Sequence, residues 1–317
     1  MSSSTNTTGM GTLLCVMAAI VYTAMNIFLC DVSSRCDASW VNGLQATVSV
    51  AVSGLLLALS KPSPGKTRLP RGEVLLSLVI IGLITQAGGV MFVWSMSVIG
   101  AAVSVTVQTG VMLAVAALLG LLVLGERVSW KQVTAIGLIA VSVLLFSVGK
   151  GGDVGVSGLF SLRSLLGLLA SIMAGVAFAV LTVGVRKTVT GDTSPMAVVF
   201  LINLMGVLAL GGLSLFRLGL HTLLQTSPKD VGIILAAGGV NLVGFFLVTK
   251  SLQLITVVRL NVLNKSLSTA LTAVAGVWLL SEHWNVTLTV AAALAMVGIV
   301  LISASAPQPA RVEKNPD

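Results

Sequence analysis

Long apolar runs, each about 20 residues in length, follow one another along almost the whole chain of 317 residues. As an α-helix rising about 1.5 Å per residue, such a run crosses about 30 Å of hydrocarbon. The runs are continuously apolar, without the period-two alternation of membrane β-strands. We therefore predict an all-α, polytopic membrane protein with ten transmembrane helices, at residues 11–30, 40–59, 74–97, 99–124, 131–149, 164–185, 196–216, 230–250, 254–280 and 286–304.

Charged residues are scarce and lie almost entirely between these runs. They make up 9% of the chain, against about 25% in soluble domains. The net charge of +8 forms no basic face or tract, so it does not indicate a nucleic-acid partner. With a cytoplasmic N-terminus, eleven Lys and Arg lie inside and five outside. The positive-inside rule then predicts that both termini are cytoplasmic, and we expect the protein in the cell (inner) membrane.

The chain repeats itself at a displacement of 156 positions, which brings Glu126 onto Glu282. We predict a first five-span repeat in residues 1–150, a second in residues 151–306 and a cytoplasmic tail in residues 307–317. An odd number of spans per repeat requires two inverted five-helix repeats, the arrangement of many secondary transporters. The register also pairs small residues, namely Gly82 with Gly238, Gly88 with Gly244 and Ser95 with Ser251.

The most specific motif is LGERVS at residues 124–129, which is echoed as LSEHWN at residues 280–285. With these motifs and the repeat, nearly the whole chain resembles the drug/metabolite transporter superfamily in its EamA-like ten-span branch. The family commonly has a proline where this chain has Leu113 and Thr269, and often an arginine where Leu44 and Gln45 stand. The resemblance implies a transporter of small solutes, and these departures prevent transfer of any particular substrate.

The two repeat-related glutamates lie at helix ends. We interpret Glu126 and Glu282 as structural, each accepting hydrogen bonds in the tight turn between two helices, with proton coupling as the alternative. The small multidrug exporters of the superfamily rely on a glutamate deep in their first span, whereas residues 10–30 contain no acid. Proton-coupled export of lipophilic cations is accordingly disfavoured.

The ninth span carries a polar stripe. At 100° per residue, Asn261, Asn264, Lys265 and Ser268 fall within one arc of about 100°. Lys265 lies about 15 Å into the helix, near the midplane, where a lysine costs roughly 3 kcal/mol to insert. We predict that it faces a cavity or a partner. An internal lock between helices and a solute-binding role are both open interpretations.

Polar residues of the first repeat are expected to converge on this stripe, and with it they are the candidate substrate-binding residues. For each amide, an interhelical hydrogen bond is the alternative role. Because Lys265 is the only deep charge, an anionic or zwitterionic metabolite is the better electrostatic match. The first-repeat candidates are Tyr22, Asn26, Gln45, Gln86 and Gln108, the last at the repeat position of Asn264.

These features together predict a secondary transporter that moves a small solute by alternating access, with the two halves rocking about a central site. The alternatives are a channel, a non-transporting membrane scaffold or a multidrug-type exporter. No His/Cys/Asp cluster is spaced for a metal, and no nucleotide loop or catalytic triad occurs, so no enzyme, metal or cofactor is expected. Cys30 and Cys36 flank the first loop, and the sequence leaves a disulfide between them, like the oligomeric state, open.

Overall fold

The computed structural model describes residues 2–59, 69–70, 72–99, 101–125, 162–189 and 193–279, with isolated helical positions between 130 and 145 and between 290 and 301. This part of the chain contains helices and no strand, so the predicted all-α fold is confirmed for it. A π-helical turn, Gly206–Gly211, joins the helix Pro195–Met205 to the helix Gly212–Leu224. The helices are α1 (Ser2–Ser33), α2 (Ala38–Leu59), α3 (Glu73–Ile99), α4 (Ala101–Leu124), α5 (Leu162–Val189), α6 (Pro195–Met205), α7 (Gly212–Leu224), α8 (Pro228–Ser251) and α9 (Val257–Leu279).

Within the described ranges, seven helical segments are long and apolar enough to cross a membrane. They match the predicted spans one to four and six to eight. The ninth span, α9, is not among them, because its polar stripe lowers its hydropathy. The fifth and tenth spans lie largely outside the described residues, so the total of ten stays a prediction. The seven segments are Thr8–Ser33, Ala38–Leu59, Glu73–Ile99, Val107–Leu124, Leu162–Val189, Pro195–Leu224 and Pro228–Ser251.

The outer surface of these helices is apolar. Leu59, Leu122 and Leu162 each expose 70% or more of their surface. A leucine-rich surface of this extent is stable against lipid and not against water. The chain is therefore an integral multi-pass membrane protein.

Local residue choices explain where several helices begin. Pro195 and Pro228 each occupy the first turn of a helix, where the missing N–H has no helical partner to lose. Asp37 caps α2, since its Oδ1 accepts hydrogen bonds from the backbone N–H groups of Ser39 and Trp40 at 2.9 and 3.2 Å. These caps fix short connections between neighbouring helices.

Helix α1 packs along α8 in the antiparallel sense. Near the start of α1, Gly11 lies so close to Leu254 and Ile255, just after α8, that an added Cβ would come within 2.8 Å of either side chain. Just after α1 ends, Arg35 donates to Asp230 in the first turn of α8, at 2.9 and 3.1 Å. Hydrogen bonds to the carboxylates of Asp31 and Asp230 raise the pKa of Arg35.

Helix α1 also runs parallel to α9. The Cys15 thiol donates to the Leu260 carbonyl at 3.4 Å, and farther along both helices the Thr23 hydroxyl donates to the Ser268 carbonyl at 3.3 Å. Helices α1, α8 and α9 thus form one bundle, which combines one helix of the first repeat with two of the second.

Helix α5 packs on α3 and α4 in the way that α1 packs on α8 and α9. It is antiparallel to α3, because Gly167 meets Ile99 while Gly184 meets Ile81. It is parallel to α4, where the hydroxyls of Ser104 and Ser171 lie 3.0 Å apart and Gly175 packs on the backbone of Gln108 farther along. Helices α3, α4 and α5 therefore form a second bundle, again drawn from both repeats.

The two bundles share a close glycine contact at repeat-related positions. Gly11 meets Leu254 and Ile255 in the first bundle. At the positions 156 residues away, Gly167 meets Val98 and Ile99 in the second bundle. Small residues allow this close approach of helices in both bundles. Helix α2 packs on α8 of the first bundle, α6 packs on α3 of the second, and α2 packs on α6 and its π-helical turn.

Candidate functional site

A cavity of about 160 Å³ is lined by residues of both bundles and of α2 and α6. The nine predicted substrate-binding positions all line it, although they come from five different helices. Apolar residues also line the cavity, among them side chains of α3, α4 and α5 that were not predicted to lie there. The nine residues are Tyr22, Asn26, Gln45, Gln86, Gln108, Asn261, Asn264, Lys265 and Ser268.

Lys265 is the charged group of this cavity. Its Nζ lies 5.4 Å from the centre of the Tyr22 ring, within the range of a cation–π interaction. The ring itself packs on Gly244 of α8, where an added Cβ would lie 3.1 Å from two ring carbons. In the described part of the chain, Lys265 has neither a hydrogen-bond partner nor a carboxylate partner.

The polar side chains of α9 are of two kinds: some contact α1, and others keep donors that have no partner among the described residues. Asn264 donates from Nδ2 to the Cys15 carbonyl at 3.3 Å and is 2% exposed. Ser268 lies against Thr23. Asn261 is 1% exposed, yet its Nδ2 has no hydrogen-bond partner among the described residues. Thus Asn264 and Ser268 join α9 to α1, whereas Asn261 and Lys265 retain donors that a bound solute can use.

The glutamine side chains also differ in how firmly they are held. Gln86 donates from Nε2 to the Ile202 carbonyl at 3.1 Å and packs against Gly206, where the π-helical turn begins. A π-turn interrupts the regular backbone pattern, and the Gln86 amide supplies a donor there. Among the described residues, Gln45 and Gln108 donate only to methionine sulfurs, each at 3.5 Å. Sulfur is a weak acceptor, so these two amides are more readily released to a solute.

The repeat-related glutamates and the cysteines of the first loop were also singled out in the sequence, as were further amide residues. Glu126 and Glu282 lie outside the described residues, so their structural role stays a prediction. No disulfide joins Cys30 and Cys36 in this structure. Asn42, Asn203 and Asn241 line the cavity in addition to the predicted residues.

Comparisons with known proteins agree with this architecture. The model of the EamA-like transporter family matches residues 9–148 and again residues 165–304, two matches displaced by the same 156 positions as the sequence repeat. A solved structure described only as "Crystal structure of protein" has a TM-score of 0.72 and 17% sequence identity, covering 93% of this chain and 99% of that chain. At this identity the likeness shows a common fold. No curated protein matches the sequence.

Proposed function

We propose that this chain, which belongs to the EamA-like transporter family of membrane transporters, is a secondary transporter. It binds a small anionic or zwitterionic solute in the central cavity and carries it across the cell membrane by alternating access. The termini lie in the cytoplasm, as the distribution of Lys and Arg indicates.

The observation that carries this proposal is the position of Lys265. A lysine within a span is costly unless a partner or water-filled cavity compensates it. Lys265 lines the cavity without a carboxylate partner in the described residues, and the buried amide of Asn261 is also unpaired. A carboxylate or phosphate brings acceptor oxygens for both donors, and such charge-assisted hydrogen bonds are the stronger kind. An acidic solute therefore completes the site.

The direction of two repeat-related helices supports the inverted repeat. Helix α2 is antiparallel to α6 and its π-helical extension, because Gly43 meets Gly211 while Gly54 meets Phe200. These two segments occupy the same position in their repeats. Opposite orientation of equivalent helices is what alternating access between two symmetric states requires.

In this proposal the two bundles move relative to each other, and the two halves of the sequence do not move as units. We call the two bundles the mixed bundles, because each combines helices of both repeats. Helix α1 contacts α8 and α9 along its length, so these three move together. The bundles contact each other where α4 packs on α9 and where α5 and α8 end: Arg186 donates to the Leu252 carbonyl, and Gln253 donates to the Val189 carbonyl at 3.4 Å. Breaking these contacts would open the cavity at that end.

Two experiments test the proposal. Purified protein is screened against a metabolite library by thermal unfolding, because a ligand of the native state raises its stability. Acids that bind are then loaded into proteoliposomes for counterflow measurements. We expect saturable uptake that is stimulated by the same acid inside. A flux that never saturates would indicate a channel, binding without flux a scaffold, and transport confined to lipophilic cations a multidrug exporter.

A further inference from the structure

The cavity is built on symmetric positions that have diverged in character. Apart from the lining residues of α2 and α6, the cavity has an α9 side, from α1, α8 and α9, and an α5 side, from α3, α4 and α5. The repeat relates the two sides position by position. Val105 stands where the α9 side has Asn261, Thr109 where it has Lys265, and Met112 where it has Ser268.

The aromatic residues follow the same division. Phe178 of α5 occupies the repeat position of Tyr22, and both line the cavity. The Phe178 ring meets Phe92 edge to face, with ring centres 6.1 Å apart. Val105 packs in the same buried cluster as these two rings. At Val105, Met112 and Phe178 the α5 side therefore presents apolar side chains where its counterpart presents polar ones.

Gln108 and Thr109 keep the α5 side partly polar, but other polar residues there are held by partners within the chain. The hydroxyls of Thr85 and Thr182 each donate to a carbonyl of their own helix, at 2.7 Å. The Gln86 amide is bound to Ile202. Lys265 Nζ and Asn261 Nδ2, which have no hydrogen-bond partner among the described residues, are both on the α9 side.

We infer that the solute is an amphipathic acid. Its carboxylate lies at Lys265 and Asn261, and its apolar body lies against Phe92, Val105, Met112 and Phe178 on the α5 side. This rests on the proposed transport function and specifies the class of its substrate. The volume of about 160 Å³ limits the body to a few carbon atoms, since cavities of about 150 Å³ accommodate benzene.

Three probes of matched shape or charge test the inference: acetate, 4-methylpentanoate and 4-methylpentanamide. Dissociation constants are measured on purified protein in nanodiscs. We expect 4-methylpentanoate to bind at least about tenfold more tightly than acetate, because four further carbons are buried. We also expect it to bind at least about tenfold more tightly than the amide, which has the same body without the charge.

The outcomes separate this inference from the transport proposal. Equal binding of acetate and 4-methylpentanoate would overturn the apolar contact and leave an anion site intact. Equal binding of the acid and its amide would overturn the contact of the carboxylate with Lys265, and with it the anion site of the transport proposal. Absence of 4-methylpentanoate binding at about 10 mM would also refute the inference.

A pair of variants adds a test on the apolar side. Met112→Ser copies the residue of the opposite side, whereas Met112→Leu keeps the position apolar, and both lose the sulfur that Gln108 contacts. The serine variant should lose at least about threefold in affinity for 4-methylpentanoate and none for acetate. Unchanged affinity for 4-methylpentanoate would contradict the inference, and if the serine variant does not fold, the comparison of probes on the parent protein decides.

Discussion

The ammonium nitrogen of Lys265 lies 5.4 Å from the centre of the Tyr22 ring, and this ring is seated on Gly244. The lysine belongs to the second repeat and the tyrosine to the first. Their contact holds the one charge of the described cavity in place without neutralising it, because an aromatic face attracts a cation but carries no net charge. The charge is thereby oriented and still available to a solute.

Replacing Tyr22 should weaken solute binding through Lys265. Tyr22→Leu removes the ring and a cation–π contact of about 1 kcal/mol, so we expect a severalfold loss of affinity for an acidic ligand. Tyr22→Phe keeps the ring and should retain most of the affinity. Calorimetric titration of both variants measures this. Equal losses in the two would assign the effect to the hydroxyl and not to the ring.

Asn261 and Asn264 should respond differently to the same substitution. Asn264→Leu removes the hydrogen bond to the Cys15 carbonyl, so the free energy of unfolding should fall by about 1 kcal/mol. Asn261→Leu removes a buried amide that has no partner, so the free energy of unfolding should stay constant or rise while ligand affinity falls. Denaturant titration and ligand binding separate the two effects. A stability loss confined to Asn261→Leu would reverse the assignment.

Repeat-related glycines should be intolerant of a methyl group. Gly88→Ala places a Cβ 2.5 Å from that of Ala177, and Gly244→Ala places one 3.1 Å from the Tyr22 ring. We expect each to lower the free energy of unfolding by about 1–3 kcal/mol through overpacking, with the larger effect at Gly88. Gly232→Ala on α8, with no neighbour within 4 Å, is the control. Losses at Gly232 as large as at Gly88 would show that steric contact is not the cause.

Cross-linking distinguishes the two mixed bundles from the two sequence halves as moving bodies. In a background without the native cysteines, Val189→Cys and Gln253→Cys join the two bundles within the second repeat. We expect this cross-link to abolish transport while binding from the opposite side continues. The outcome is measured as flux and ligand binding in proteoliposomes.

The matched control joins the two repeats within one bundle. Arg35→Cys and Asp230→Cys cross-link α1 to α8, which already contact each other. Transport should continue after this cross-link. If it stops while the cross-link between positions 189 and 253 has no effect, the sequence halves are the moving bodies.

The sequence predicted the polar part of the site because burial in a membrane constrains polar residues so strongly. An amide or lysine inside an apolar span must turn toward protein or water, and helical periodicity then identifies the face. Asn261 and Lys265 could therefore be placed without a structure. The bond from Asn264 to the Cys15 carbonyl could not, because it depends on which helix of the other repeat lies beside α9.

The apolar part of the site was missed for the opposite reason. Phe92 and Phe178 lie in apolar spans, where the sequence carries no signal that distinguishes a ring facing lipid from a ring facing a cavity. The signal that could have found Phe178 was the repeat register, which aligns it with Tyr22. The mixed bundles were also missed, because they rest on the fit of Gly11 against Leu254, a contact between distant segments that apolar sequences do not specify.

The most direct test of the account measures how Lys265→Met changes the affinity for an acidic ligand and for its neutral amide. Lys250→Met is the control, because Lys250 also lies over an aromatic ring, that of Phe246 at 5.9 Å, but does not line the cavity. We expect Lys265→Met to fold and to lose about 10–100-fold in affinity for the acid, with little change for the amide. Lys250→Met should bind both ligands as the parent does. A folded Lys265→Met protein that binds and transports the acid as well as the parent would contradict the account.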